Sequence, residues 1–401
     1  MRILAITTLF PRPGHPTHAI FNRHEVHGIA LPHEVRVIVP VAWTERMADW
    51  RRTGACRERL DGAVRVYHPT YWFVPRTLAR FRGPAYLASI RGTVRQATAD
   101  FRPDVVVGLW AHPDGWAAVQ VARELGVPAL VKVMGSDVLV LKKNARRRAL
   151  IAETLRQADG IYAVSQDLAR HVVELGVDAQ KVHVAYEGID RKTFQPGDRA
   201  EARKKLDLPA DERMVLFVGN LIFSKGCGVL LQACGLLSKR GVRFRCALVG
   251  GGKDEAALRR MARDSGIEAN VTFVGRLKPA EVVEWYRAAD LVTLPSFSEG
   301  MPNVLREALQ CGRPFVATAV GGIPEISDPA VSRLVQPGDA AELARALEEM
   351  LARPPVVPGE VAARFNISWE EAANVRAGLF QAAIDKHRQR GQASGSTAPA
   401  A

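Results

Sequence analysis

Cysteine is scarce: the chain has five in 401 residues (Cys56, Cys227, Cys234, Cys246 and Cys311), an odd number with no C-x-x-C pair. That argues against a disulfide framework and a zinc site, fits a reducing cytoplasm, and leaves the N-I-S sequon at Asn366 idle. Long apolar runs are missing as well. No stretch supplies the roughly 18 uninterrupted apolar residues of a membrane-crossing helix. The opening MRILAITTLF has neither the charge pattern nor the cleavage site of a signal peptide and reads as a buried first strand. Two phosphate-binding signatures are absent: G-x-x-x-x-G-K-[ST], and G-x-G-x-x-G in the first strand–helix turn. A P-loop nucleotidase and a dinucleotide dehydrogenase are therefore set aside. No two aspartates are separated by a single residue, so a D-x-D metal pair is missing. Without a helix-turn-helix, zinc finger or aromatic–basic RNA pattern, no nucleic-acid partner is expected.

What is present is a globular composition, 47% hydrophobic and 24% charged, with Lys plus Arg at 55 against Asp plus Glu at 42. The excess of +13 gathers in RRTGACRER (51–59), RTLARFR (76–82) and KKNARRR (142–148). Such clusters suit an anionic small molecule or an anionic membrane face, and equally a solvated arginine-rich surface. Short, continuously apolar segments alternate with helical stretches throughout. MRILAITTLF (1–10) and RMVLFVGNL (213–221) share one design, a strand running into a loop. Strands of this kind, buried on both faces, predict parallel sheets and two doubly wound α/β domains, with ligands outside the strands' carboxyl ends. The Pro/Gly break in FQPGDRAEARKKL (194–206) marks the connection, and the small polar GQASGSTAPAA from 391 reads as a disordered tail.

Three glycine-bearing loops follow strands in the second half: GNLIFSKG (219–226), VGGGKDEAALRRM (249–261) and PSFSEGMPNVLREAL (295–309). Glycine lets backbone approach a ligand, and helix starts present N–H groups to phosphate. In the third loop, Pro302 and Asn303 suit a helix start, proline by its fixed φ and asparagine as a cap. Glu299 and Glu307 flank that start. Two carboxylates beside an anion-attracting helix end need an explanation other than phosphate binding.

These residues resemble the retaining glycosyltransferases of family four, which have the GT-B fold. The likeness covers most of the chain and is densest from about 180 to 340. EGIDRKTFQP (187–196) is similar to the family's segment between domains, with Glu187 where asparagine is usual. GNLIFSKG resembles the donor loop, VGGGKDE a second glycine loop, and Glu299 to Glu307 with AVGGIPEI (319–326) its E-x7-E element. LWAHPDG (109–115) and GSD (135–137) look like the segments that face the donor sugar and the acceptor. TLFPRPGHPTHAIFNRHEV is similar to bacterial surface-polysaccharide members, including those of teichuronic acid synthesis.

The resemblance implies two Rossmann-like domains facing each other across a cleft: 1–192 on the acceptor side, 193–366 for the donor, a helix 367–390 crossing back, and the tail 391–401. It implies transfer of a hexosyl group, with retention, from a UDP- or GDP-linked sugar to a glycan, glycolipid or small acceptor. No cofactor and no metal are expected. Glu299 would stand near the anomeric centre and Glu307 at the ribose hydroxyls, while the backbone from Gly300 through Met301, Pro302 and Asn303 to Val304 covers the phosphates with its N–H groups. Lys225 would stabilise the leaving diphosphate, the position where charge develops. His112 and Asp137 would lie beside the sugar, Gly219, Asn220 and Gly250 along the donor, and Arg276 by the base. Two departures stand out. Asn220 replaces the usual arginine, and the first loop has only Gly14 in place of a glycine pair. A non-catalytic binder, an epimerase or a phosphorylase on the same fold are the alternatives. Peripheral contact with the inner membrane face is expected if the acceptor is lipid-linked.

Overall fold

A computed structural model describes residues 1–12, 14–16, 18–47, 58–73, 82–140, 144–353 and 359–395. Cys56, Arg51, Arg52, Arg57, Lys142, Lys143 and residues 396–401 lie outside the described residues. The chain divides into two compact units, Met1–Gly188 with Trp369–Ala401, and Ile189–Ser368.

The first unit contains β1 (Arg2–Ile6), β2 (Glu34–Ile38), β3 (Val41–Ala42), β4 (Glu58–Asp61), β5 (Val64–Tyr67), β6 (Thr70–Tyr71), β7 (Val105–Gly108), β8 (Ala129–Val133), β9 (Gly160–Ala163) and β10 (Val182–Val184). Its main sheet runs β10-β9-β8-β7-β1-β2-β5-β4, parallel except for β4 against β5. β3 and β6 form a separate short pair. The central strands are wholly buried, as VVVG in β7 and ALVKV in β8 show, because helices cover both faces. The terminal helix Trp369–Gly395 packs on helix Ile20–Ala30 in this unit. It continues through 391–395, so the small polar residues there extend a helix whose earlier turns are anchored.

One lysine sits inside the all-buried β8. Lys132 Nζ reaches Glu25 Oε2 at 2.5 Å, Glu187 Oε1 at 2.8 Å and Asn22 Oδ1 at 3.0 Å. Arg376 Nε lies 3.2 Å from Glu25 Oε1, and the Tyr162 hydroxyl donates to the same oxygen at 2.9 Å. Arg376 also donates to the carbonyls of Ala185 and Tyr186. Two cations and two carboxylates thus neutralise each other out of water and join five segments of the unit. Removing one member of such a set exposes the rest to the full cost of buried, unpaired charge.

The second unit contains β11 (Arg213–Val218), β12 (Phe244–Val249), β13 (Val271–Gly275), β14 (Leu291–Leu294), β15 (Phe315–Thr318) and β16 (Ser332–Val335). All six are parallel, in the order β13-β12-β11-β14-β15-β16. Chain order reverses between β11 and β14. The loops leaving those two strands part there, and the crevice they open is where ligands bind in doubly wound sheets.

Candidate active site

The three glycine loops meet at the carboxyl ends of β11, β12 and β14, locked together by backbone contact. A Cβ on Gly250 would stand 1.8 Å from the Gly219 carbonyl oxygen, and one on Gly226 1.8 Å from the Pro295 carbonyl oxygen. The loop after β15 lies equally close: a Cβ on Gly321 would meet the Glu299 carbonyl at 1.9 Å, and Gly322 N–H donates to Gly300 O at 2.9 Å. Phe297 N–H donates to Ser224 O at 3.1 Å. No side chain fits between these strand ends. Glycine is required here for close approach as well as for its backbone angles.

On this platform Lys225 Nζ lies 2.7 and 2.9 Å from the two oxygens of Glu299. The Glu299 side chain is 9% exposed and that of Lys225 29%, so solvent reaches the pair mainly from the lysine's side. Asn220 is exposed on the same loop. Arg276 folds over the second glycine loop, Nη2 donating to Gly251 O at 3.1 Å. Met301 and Pro302 are buried.

The helix Asn303–Gln310 begins one position earlier than an Asn303 cap would place it. Pro302 is the N-cap with φ −80° and ψ 111°, and Asn303 is the first helical residue, so no side chain caps this end. The expected Asn303 cap is therefore corrected: its Oδ1 faces Arg306 Nη1 at 3.5 Å. A helix start without a side-chain cap keeps its N–H groups for a ligand. Glu307 accepts from the Tyr286 hydroxyl at 2.8 Å, and the Val304 carbonyl shares the same hydroxyl proton from 3.2 Å. Burial is the main reason the Glu307 carboxyl is pushed up to about 7, with the Tyr286 bond and Arg306 opposing it. Nothing in the sequence spacing pointed to Tyr286.

In the first unit the corresponding strand ends are braced by carboxylates. His112 lies in a single π turn, Ala111–Gly115, with extended φ and ψ of its own, and is half-buried. The neighbouring Asp114 is fully buried. Its Oδ2 accepts from Thr8 N–H at 2.7 Å and Thr8 Oγ1 at 3.0 Å, and its Oδ1 from the Tyr86 hydroxyl at 2.7 Å. Burial drives its pKa up to about 6 against those three donors. Asp137 is also fully buried and accepts backbone N–H groups from Met134, Gly135, Val138 and Ala111. Its carboxylate thus ties the turn to Ala111, the residue before His112. Burial raises the Asp137 pKa as well.

Two Rossmann-like α/β units, the second with glycine loops around a lysine–glutamate pair, are the architecture of the GT-B fold. Residues 198–366 match the family described as glycosyl transferases group 1, and residues 25–188 match the glycosyl transferase 4-like domain. The chain is 34% identical to the D-inositol 3-phosphate glycosyltransferase of Mycobacterium tuberculosis, over 79% of this chain and 70% of that one. It belongs to the group 1 glycosyl transferase family. Among solved structures, sucrose-phosphate synthase from Thermosynechococcus elongatus superposes with a TM-score of 0.81 at 21% identity, covering 96% of this chain and all of the other. Anabaena HepE in complex with UDP-glucose gives 0.73 at 18% identity, covering 95% of this chain and all of that one. None of these relatives carries the narrower likeness to teichuronic acid enzymes.

Proposed function

We propose that the protein transfers a hexosyl group, with retention of configuration and without a metal ion, from a UDP-linked sugar to a hydroxyl of a glycan, glycolipid or small polar acceptor. The observation that carries this reading is the Lys225–Glu299 pair at the strand-order reversal of the second sheet. Its support is the UDP-glucose bound by the structural neighbour from Anabaena. As the bond to the diphosphate breaks, negative charge grows on the leaving oxygens and positive charge on the sugar. Lys225 and the start of helix Asn303–Gln310 meet the first, and Glu299 the second. In this reading Lys225 exchanges one carboxylate partner for phosphate oxygens, which leaves Glu299 free to accept from the sugar's hydroxyls. Glu307, held by Tyr286, accepts from the ribose. The protein works in the cytoplasm, at the membrane surface when its acceptor is lipid-linked; no helix among the described residues is long and apolar enough to cross a membrane.

A thermal-shift screen of UDP-, GDP- and dTDP-sugars tests the donor, because a ligand that binds only the folded state raises the melting temperature by mass action. UDP-glucose or a UDP-hexose epimer is expected to give the largest rise, in the presence of chelator. A rise confined to GDP- or dTDP-sugars, or one that requires added Mg²⁺, overturns the corresponding part of the proposal.

A further inference from the structure

A second pocket lies wholly within the first unit, far along the chain from the donor loops. It has a volume of about 420 Å³ and is lined by the loop Pro11, Arg12, Gly14 and Pro16, by Ile20 and Arg23 of the first helix, and by Arg59 and Asp61 of β4. The loop leaves the carboxyl end of β1, and Arg59 pairs with Val66, next to last in β5. The pocket therefore runs from the loop after β1 along the β4 edge of the sheet, where Asp61 faces Val64 at the start of β5.

Its charges are fixed by mutual contacts. Arg23 donates Nε and Nη2 to the two oxygens of Asp61, at 2.8 and 2.7 Å. Arg59 donates Nη2 to the Pro11 carbonyl at 2.9 Å and Nε to His68 Nε2 at 3.3 Å, and stands 3.7 Å from Asp61. Arg12 is 8% exposed, with Nη1 on Glu45 at 2.9 Å. A guanidinium carries five N–H donors, and its fork matches phosphate oxygens. The Nη1 groups of Arg23 and Arg59 have no acceptor among the described residues. Among the described residues Asp61 is the one carboxylate lining the pocket; its bond to Arg23 holds its pKa down at about 2, so it stays charged and its oxygens stay engaged. Two histidines register a positive surrounding. His68 is pushed down to about 4 by burial and then by Arg59, Arg46 and Arg12, and His18 is lowered by burial and then by Arg12.

We propose that this pocket binds the phosphate group of the acceptor, so that the transferase acts on a phosphate-bearing substrate; the word acceptor rests on the function proposed above, the anion site does not. Arg59 and Arg23 present donors to the phosphate oxygens and Arg12 adds charge from the wall. Asp61 plays two opposed parts, orienting Arg23 while repelling the incoming anion. The phosphate belongs either to a soluble phosphomonoester or to a lipid headgroup.

The test is calorimetric titration of the full chain with inorganic phosphate and with glycerol 3-phosphate, saturating UDP being present so that the second unit's crevice is occupied. Arg59→Gln is expected to weaken both ligands about tenfold, the scale of one charge-assisted bond. Asp61→Asn is expected to tighten them severalfold, a gain that a misfolded protein could not show. Equal binding by all three proteins, or loss in both variants, overturns the proposal. Flotation with phosphatidylglycerol and phosphatidylcholine vesicles assigns the source: anionic-vesicle binding that Arg59→Gln abolishes and phosphate competes away means a headgroup, and its absence beside phosphate binding means a soluble acceptor. The UDP-glucose thermal shift of the two variants should equal that of the parent. If no nucleotide sugar binds any of them while the phosphate pattern holds, the transferase reading fails and the anion site stands.

Discussion

The carboxyl ends of the two sheets are the same place in two copies of one architecture, yet they are built from opposite materials. In the second unit, backbone rests on backbone: Gly219 beneath Gly250, Gly226 beneath Pro295, Gly321 beneath Glu299. In the first, buried carboxylates collect the loops, Asp114 joining Thr8 and Tyr86, and Asp137 joining Ala111 to Met134 and Gly135. A glycine platform exposes bare N–H groups and suits a ligand that brings its own negative charge. A carboxylate brace has already used such N–H groups, and what it offers instead is a fixed scaffold for side chains such as His112. In the function proposed above, that difference would let one fold grip a diphosphate at one sheet and shape an acceptor surface at the other.

The largest effect that would sharpen this contrast lies beneath the first sheet. Lys132→Met leaves Glu25 sharing only Arg376 and Tyr162, and takes from Glu187 its cation in β8. Loss of one partner from a buried charge set costs about 3–5 kcal/mol. Urea unfolding should show that loss, with the unfolding of the first unit moved to lower denaturant. A midpoint within error of the parent's would mean that the buried charges are incidental to the unit's stability.

In the second unit the proposed role of Lys225 is in the reaction itself. Lys225→Ala should lower kcat about 10²–10³-fold while stability changes little, the scale of losing one donor at developing charge. Steady-state kinetics with the donor found by the thermal screen reads this directly. A fall in stability with unchanged kcat would make Lys225 a mere counter-ion of Glu299.

The brace predicts a pH signature. Asp114 titrates near 6 in the folded protein against 3.8 as the ordinary value, so between those pH values the folded state holds the extra proton and stability falls as pH rises. The contribution is about 2–3 kcal/mol across that window, at 1.36 kcal/mol per unit. Asp114→Asn should lower stability at pH 4 and flatten the slope of melting temperature from pH 4 to 6. Glu307 acts in the same direction between 4.5 and about 7, and it is common to both proteins. A slope unchanged by the substitution would show that Asp114 ionises without penalty and that the brace is loose.

The smallest predicted change concerns Asn220, exposed on the donor loop. An amide lacks the charge that strengthens a phosphate bond, so Asn220→Arg should tighten UDP by about 1–2 kcal/mol, or roughly 5- to 30-fold. Calorimetry measures it, and unchanged affinity would mean that Arg276 or Lys253 already fills that place.

What was legible in the sequence follows from the same contrast. Apolar runs such as VVVG and glycine loops such as VGGGKDE reveal their structure locally, since a buried strand and a close backbone approach each restrict residue choice at one position. Side chains that act across the fold do not. Asp114 and Tyr86 are separated by 28 residues, Tyr162 and Glu25 by 137. Lys132 did leave a trace, a lone lysine in ALVKVMG, which only makes sense once partners are known. The antiparallel β4 was hidden by the charged residues around it, and with it Asp61. At Pro302 and Asn303 the local signal was real but one residue out of register, because a proline with extended ψ serves as the cap itself.

The return of the terminal helix to the first unit makes the second an insertion, with its two ends side by side. Ile189 N–H donates to Ile367 O at 2.8 Å, and in the other unit Gly188 lies so close to Trp369 that a Cβ there would stand 2.4 Å from the tryptophan Cα. During synthesis residues 189–368 are all added before Trp369, and the last strand of their sheet ends well before it, at Val335. The inserted unit is therefore free to complete its sheet first, domains folding as units while the chain grows. Until Arg376 follows, Glu25 lacks one of its two cations. The half of the protein that begins the chain is thus the half that finishes folding last, and its quality depends on the final few dozen residues.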